Sequence, residues 1–224
     1  MASQVLTLSA CKVDLERGVA VWLAAPQPSH GEEAMTLLSD EEHERRTAFL
    51  HPGARAQFLT GRWLLRKVVG YLAGIPARAL AVRLGDRGAI LVDDWHVNLS
   101  HTDGLVALAV SDTPVGVDVE DTQRVGRTVE LADRFFAPSE ARALRTLPPA
   151  AQRARFFDLW TLKEAYIKGR GEGLAIPLAS FAFDHAPDGT VYFSTTTEPD
   201  AGRWEFARID PTPRHRLAVA RARY

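Results

Sequence analysis

The sequence predicts an α+β fold in which each half of the chain carries helices and a small sheet. Three observations lead there. Segments of helical period and short β-branched or apolar runs both occur before and after residue 112. A polar, proline-containing break, SDTPVG at 111–116, falls near the middle and divides the 224 residues into 1–112 and 113–224. At 46% hydrophobic residues, the composition supports a core for a domain of this size.

The elements follow in order. GVAVWLAA (18–25) reads as a strand. In SDEEHERR, Ser39 is placed to cap a helix, with Glu42 three positions on completing a capping box. A second helix runs through RAQFLTGRWLLRKVVGYLAG, where Phe58, Leu59, Trp63, Val69 and Leu72 recur near helical spacing and Gly74 suits the end. Strand-like pieces follow at 79–84, 89–92, 96–100 and 105–111. The second half opens on the strand VGVDVED and continues with a helical TVELADRFF and a helix starting near Pro138, closed by Pro148 and Pro149. A longer helix covers about 151–168. The C-terminus reads as a meander of four strands, with Asp188 and Gly189 turning the first hairpin.

Charge narrows the function classes. Lys plus Arg number 27 against 28 for Asp plus Glu, a net charge of −1, so no global field draws the chain to nucleic acid or an acidic membrane. Cys11 is the only cysteine, which excludes a disulfide framework and a multi-thiolate zinc site and suits a reducing cytoplasm. No apolar run approaches the ~20 residues of a membrane-spanning helix, and the expected location is cytoplasmic.

GVDVEDT (116–122) raises the first chemical question. On a strand, Val117 and Val119 point into a core while Asp118 and Glu120 leave together from the other face. Neighbouring carboxylates raise one another's pKa unless a cation, a basic side chain or water separates them. A solvated edge strand is the plain alternative.

FFDLWTLKEAYIKGRGEG (156–173) offers an answer. Phe156, Leu159, Trp160, Leu162, Tyr166 and Ile167 form one apolar arc, and Lys163 falls inside it, either snorkelling to water or directed at a bound phosphate. Glu164 and Lys168 lie one turn apart on the flank, as a surface pair or beside a cleft. With Asp118 and Glu120, Glu164 would complete an all-oxygen site of the kind magnesium takes when it also binds phosphate oxygens. Cations for that phosphate are available in Lys163, Lys168 and a histidine. Gly169, Gly171 and Gly173 follow a helix rather than precede one, which argues against a nucleotide-binding loop. Ser100, His101 and Asp103 are not a hydrolytic triad, because adjacent strand residues face opposite ways. His101, at a strand end before a polar turn, is placed to hold a phosphate or to cap the turn.

NLSH (98–101), GVDVE (116–120) and WTLKEAYIK (160–168), in that order and over nearly the whole chain, resemble the 4'-phosphopantetheinyl transferases of the surfactin-synthetase type, in the subgroup with a W-KEA pattern. The resemblance implies a monomer of two similar α/β halves, with coenzyme A and magnesium in the cleft between them. It implies that a serine hydroxyl of an apo acyl or peptidyl carrier protein attacks the β-phosphate of coenzyme A and releases 3',5'-ADP. Asp118, Glu120 and Glu164 would be the magnesium ligands, Glu164 would also accept the serine proton, directly or through water, and Lys168 would bind phosphate. Lys163, Ser100 and His101 would assist near the coenzyme A phosphates. Arg45 and Arg46 match the region that holds the 3'-phosphate, Arg62 in GRWLLR matches a recurrent motif, and Arg87 in GDRGAI stands where the family has a short G-K-P or G-R-P element. Two alternatives stay open: a non-catalytic module that binds coenzyme A or carrier protein, and a magnesium-dependent hydrolase of coenzyme A or nucleotides.

Overall fold

The computed structural model describes residues 18–85, 88–126, 128–186, 190–196 and 201–223. Strand β1 (Val19–Ala24) leads into helices α1 (Pro28–Met35), α2 (Asp40–Thr47) and α3 (Pro52–Ala73). Hairpins β2–β3 (Arg83–Leu84, Ile90–Leu91) and β4–β5 (His96–Thr102, Leu105–Ser111) follow. The second half repeats that order: β6 (Val115–Asp121), α4 (Thr128–Phe135), α5 (Pro138–Thr146), α6 (Pro149–Arg170), then β7–β8 (Phe181–His185, Val191–Thr195) and β9–β10 (Trp204–Thr212, His215–Ala222). The mixed architecture is the expected α+β.

The repetition extends to the sheets. One three-stranded antiparallel sheet has the order β1-β5-β4 and the other β6-β10-β9, so in each the first strand of a half pairs with the last. Both long helices have 22 residues, start on a proline and end on a left-handed glycine, Gly74 or Gly171.

Period-two alternation sorts the side chains into layers. On β5, Val106, Leu108 and Val110 face α3 with Trp63, Leu64, Leu65, Val68 and Val69. Its alternate residues Leu105, Ala107 and Ala109 meet Val117, Val119, Leu217 and Val219 of the second sheet. The other face of that sheet, with Ala218, Ala220 and Ala222 of β10, lies under α6, where Phe156, Leu159, Leu162, Tyr166 and Ile167 are buried. The layers therefore run helix, sheet, sheet, helix. Val117 and Val119 do enter a core, as their alternation predicts, and that core joins the two halves.

Helix α6 approaches β6 more closely than a side chain would allow. A Cβ built on Gly116 would stand 2.0 Å from the Ala165 carbonyl oxygen and 2.4 Å from the Gly169 nitrogen, and one on Gly169 would meet Trp204 at 2.8 Å. Two glycines thus set the distance between the strand bearing Asp118 and Glu120 and the helix bearing Glu164 and Lys168.

Several expected boundaries move. Pro148 and Pro149 start α6 instead of ending its predecessor, because a proline at N1 lacks only an N–H that the helix would leave unused. Residues Ala77–Ala79 form a 3-10 turn, and only Arg83–Leu84 of the expected 79–84 strand pairs. The C-terminal strands form two separate sheets, β7–β8 and β9–β10 with β6, not one meander. Helix α1 falls where no element was expected. The Asp188–Gly189 turn and Cys11 lie outside the described residues. Among the described residues, no helix is long and apolar enough to cross a membrane.

Candidate active site

Asp118 lies where β6, β4 and α6 meet. It is only 5% exposed. Its Oδ1 accepts from Lys168 Nζ at 2.6 Å and from Ser100 Oγ at 3.0 Å. Lys168 also donates to Ser100 Oγ (3.0 Å) and to the Val117 carbonyl (3.3 Å). The Ser100 hydroxyl accepts from the Val119 N–H at 3.2 Å as well. Strand, edge strand and helix therefore meet at one carboxylate. The second oxygen, Oδ2, is buried without a hydrogen-bond partner, which is costly for a carboxylate.

The neighbouring acids register the same excess of negative charge. Burial, then the charge of Asp118, pushes the Glu120 carboxyl up to about 7, against the pull of Arg124, Lys168 and the Trp160 indole. Arg124 reaches both Glu120 oxygens at 3.2 Å. Burial and Asp118 likewise raise Glu164, with Lys168 opposing. Each acid thus senses Asp118. Among the described residues, however, no three acidic, histidine or cysteine side chains stand close enough to hold a metal ion together. The expected triad is not assembled as the side chains lie, and the Lys168 ammonium sits on one of the two Asp118 oxygens.

Beside this hub lies a cavity of about 170 Å³ walled by Arg45, Phe49, Phe58, Arg62, Ser100 and His101. Arg62 reaches it from within the core, pairing with Glu42 (Nε to Oε1, 3.2 Å) and lying over the Phe58 ring, while its Nη1 is buried without a partner. Partial enclosure and then the Lys168 charge lower the pKa of His101, with Asp118 opposing. Arg46 does not reach the cavity walls. Arg87 lies outside the described residues, although its neighbour Gly88 borders the cavity.

Lys163 departs from its expected role. Its side chain is 0% exposed and its ammonium turns away from the cleft, to Glu140 Oε2 (2.7 Å) and the carbonyls of Leu178 (2.8 Å) and Phe181 (2.7 Å), with the Phe181 ring 4.3 Å away. All three ammonium donors are engaged. It can neither snorkel nor meet a phosphate.

The 4'-phosphopantetheinyl transferase superfamily model matches residues 114–220. A 4'-phosphopantetheinyl transferase of Bacillus subtilis is 32% identical over 200 residues, 87% of this chain and 87% of that one. The 4'-phosphopantetheinyl transferase HetI of Nostoc is 35% identical over 76% of this chain and 73% of its own. Sfp of Bacillus subtilis is 31% identical over 71% and 72%. The chain belongs to the 4'-phosphopantetheinyl transferase family.

In this transferase the matched region contains Asp118, Glu120, Glu164 and Lys168. Sequence reasoning missed two contributors. Trp160 belongs to the apolar arc, yet its indole also draws the Glu120 pKa down. Glu140 holds Lys163 from the third position of α5, where its Oε2 also accepts the Ala137 N–H (3.0 Å) and its Oε1 the Phe183 N–H (2.9 Å). A glutamate three residues after a helix start was the available signal for the second.

Proposed function

We propose that this transferase moves the 4'-phosphopantetheine group of coenzyme A to a serine of an apo acyl or peptidyl carrier protein, releasing 3',5'-ADP. The observation that carries the reading is Asp118: a buried carboxylate with one oxygen on Lys168 and the other unpartnered, beside two acids whose pKa values are raised. Lys168 and Arg124 leave the Asp118 Oδ2 without a partner and the two acids raised, and the hard oxygen donors of the cluster fit a magnesium ion. Asp118, Glu120 and Glu164 would hold that ion. Bound there, magnesium would neutralise charge on the pyrophosphate of coenzyme A.

The chain's own residues supply the rest. The serine oxygen bonds to the β-phosphorus as the bridging P–O bond breaks, and the electron pair leaves on 3',5'-ADP. Glu164 takes the serine proton and must be ionised to do so, which a cation at Asp118 favours. Lys168 offsets the negative charge that grows on the phosphate oxygens. Arg45, Arg62 and His101 line a cavity suited to the nucleotide phosphates, and the partnerless Nη1 of Arg62 supports an anion there. Both walls of the cleft come from one chain, which supports a monomer. The net charge of −1 supports a reading with no nucleic acid or acidic-membrane partner, and the single cysteine supports a reducing cytoplasm.

The test is to incubate the protein with coenzyme A, magnesium and several apo carrier proteins, then to measure intact carrier mass and 3',5'-ADP. The expected result is one phosphopantetheine added per carrier and an equal amount of 3',5'-ADP. Nucleotide release without carrier modification would establish a hydrolase. Coenzyme A binding with neither product would leave a binding module.

A further inference from the structure

The edge of β6 that carries the acids is held by side chains instead of a second backbone ladder. β6 pairs through its backbone with β10 on one side. On the other, the N–H groups of Val117, Val119 and Asp121 donate to Asn98 Oδ1 (3.0 Å), Ser100 Oγ (3.2 Å) and Thr102 Oγ1 (3.1 Å). The three acceptors are alternate residues of β4, so one face of that edge strand supplies them all. Leu99 and His101, between them, border the cavity on the α3 side. β4 has its own backbone partner in β5.

This clamp interleaves with the site. Asp118 lies between the held amides of Val117 and Val119, and Glu120 between those of Val119 and Asp121. Fixing three alternate peptide groups fixes the height and twist of the two residues between them. Side-chain bridges also keep β4 and β6 farther apart than the ~4.8 Å of a ladder. Ser100 belongs to the site itself, since it touches both Asp118 and Lys168. Asn98 and Thr102 hydrogen-bond to the Val117 and Asp121 amides and to neither of these side chains.

We propose that Asn98 and Thr102 are positioning residues: by accepting from the Val117 and Asp121 amides they hold Asp118 and Glu120 in register against Lys168 and Glu164. The catalytic part of this inference rests on the transferase reading above.

Two pairs of near-isosteric substitutions separate hydrogen bonding from packing. Asn98→Leu and Thr102→Val remove the acceptor, whereas Asn98→Asp and Thr102→Ser keep one. Carrier modification is followed for each variant over coenzyme A and magnesium concentrations, magnesium binding is titrated by calorimetry, and native-state amide exchange is read at Val117 and Asp121. Outer positioning partners of metal sites change affinity or activity by about 10–100-fold. The expected result for Asn98→Leu and Thr102→Val is a loss of that size in kcat or magnesium affinity, with the KM for coenzyme A unchanged and faster exchange at Val117 or Asp121 respectively. Thr102→Ser should recover most of the loss. The proposal is overturned if folded Asn98→Leu and Thr102→Val proteins keep wild-type magnesium dependence and amide protection, or if Thr102→Ser is as impaired as Thr102→Val. A wild-type protein that transfers nothing would remove the transferase reading instead, and the exchange and calorimetric measurements would still decide whether the clamp orders the acids.

Discussion

Lys163 and Lys168 lie on the same helix and have opposite tasks. Burying an ammonium costs several kcal/mol, and Lys163 offsets this with a carboxylate and two carbonyls. Lys163→Ala should therefore destabilise the protein by about 3–5 kcal/mol, because Glu140 would be left buried and unpaired. Urea denaturation measures it; a variant of wild-type stability that has lost coenzyme A affinity would return Lys163 to phosphate binding. Lys168→Ala should instead slow transfer by about 10²–10³-fold, as expected for loss of one preorganised donor to developing charge. Glu164→Gln keeps shape and removes the proton acceptor, so kcat should fall by about 10²–10⁴-fold with folding intact; full turnover would take Glu164 out of the mechanism. The acids and Lys168 were legible in the sequence because strand alternation and helical spacing point each of them in a definite direction. The fate of Lys163 was not. A helical wheel tells which way a side chain leaves, not what waits there, and its partners come from α5 and from the turn before β7.

At the scale of elements, the contact of α6 with β6 depends on Gly116. Gly116→Ala would drive a methyl group into the Ala165 carbonyl, a backbone atom that cannot rotate away. A loss of about 2–3 kcal/mol or more is expected, together with reduced transfer as Glu164 and Lys168 move from Asp118. Unchanged thermal stability would show that the helix can shift freely. β7 ends on His185, whose pKa is lowered to about 4 by burial and then by Arg155 and Arg208. The unfolded chain takes up its proton near 6.5, so the contribution is fully present above that pH and is lost as the pH falls toward 4. Between these values the wild type should lose roughly 1–2 kcal/mol more than His185→Gln, after allowance for partial exposure; identical pH dependence of the melting temperature in both proteins would refute it. Most elements were readable from period and caps, including the Ser39–Glu42 capping box, which forms as expected. Helix α1 was not, because PSHGEEAM has almost no apolar stripe and buries only Ala34. Tertiary contacts hold it: His30 stacks on Trp63 at 4.0 Å, and Glu33 accepts from the Trp63 indole (2.6 Å) and Lys67 (2.7 Å).

Across the whole molecule, the two halves repeat a device as well as an element order. In the first, Glu42 at the third position of α2 accepts its own cap's N–H and pairs with buried Arg66, which also donates to the Leu80 carbonyl. In the second, Glu140 at the third position of α5 accepts the Ala137 N–H and pairs with buried Lys163, which also donates to the Leu178 carbonyl. Arginine answers lysine here, and the spacing of the surrounding apolar residues differs, so a residue-by-residue search finds no repeat even though the roles coincide. The site itself is not duplicated. The fourth residue of β1 is Trp22, paired with Leu108, whereas the fourth residue of β6 is Asp118, paired with Ala218. What binds the halves is the core between the sheets, built from Val21, Leu23, Ala107, Val117, Val119, Leu217 and Val219. Neither half can open without exposing it, so urea unfolding should be a single transition with coincident curves from tryptophan fluorescence and circular dichroism. Leu217→Ala, at the centre of that shared layer, should cost about 2–5 kcal/mol and move both curves together. Two separate transitions, with only one displaced by the substitution, would mean that each half is stable alone and that the cleft between them is held mainly by the hydrogen-bonded seam of β4 and β6.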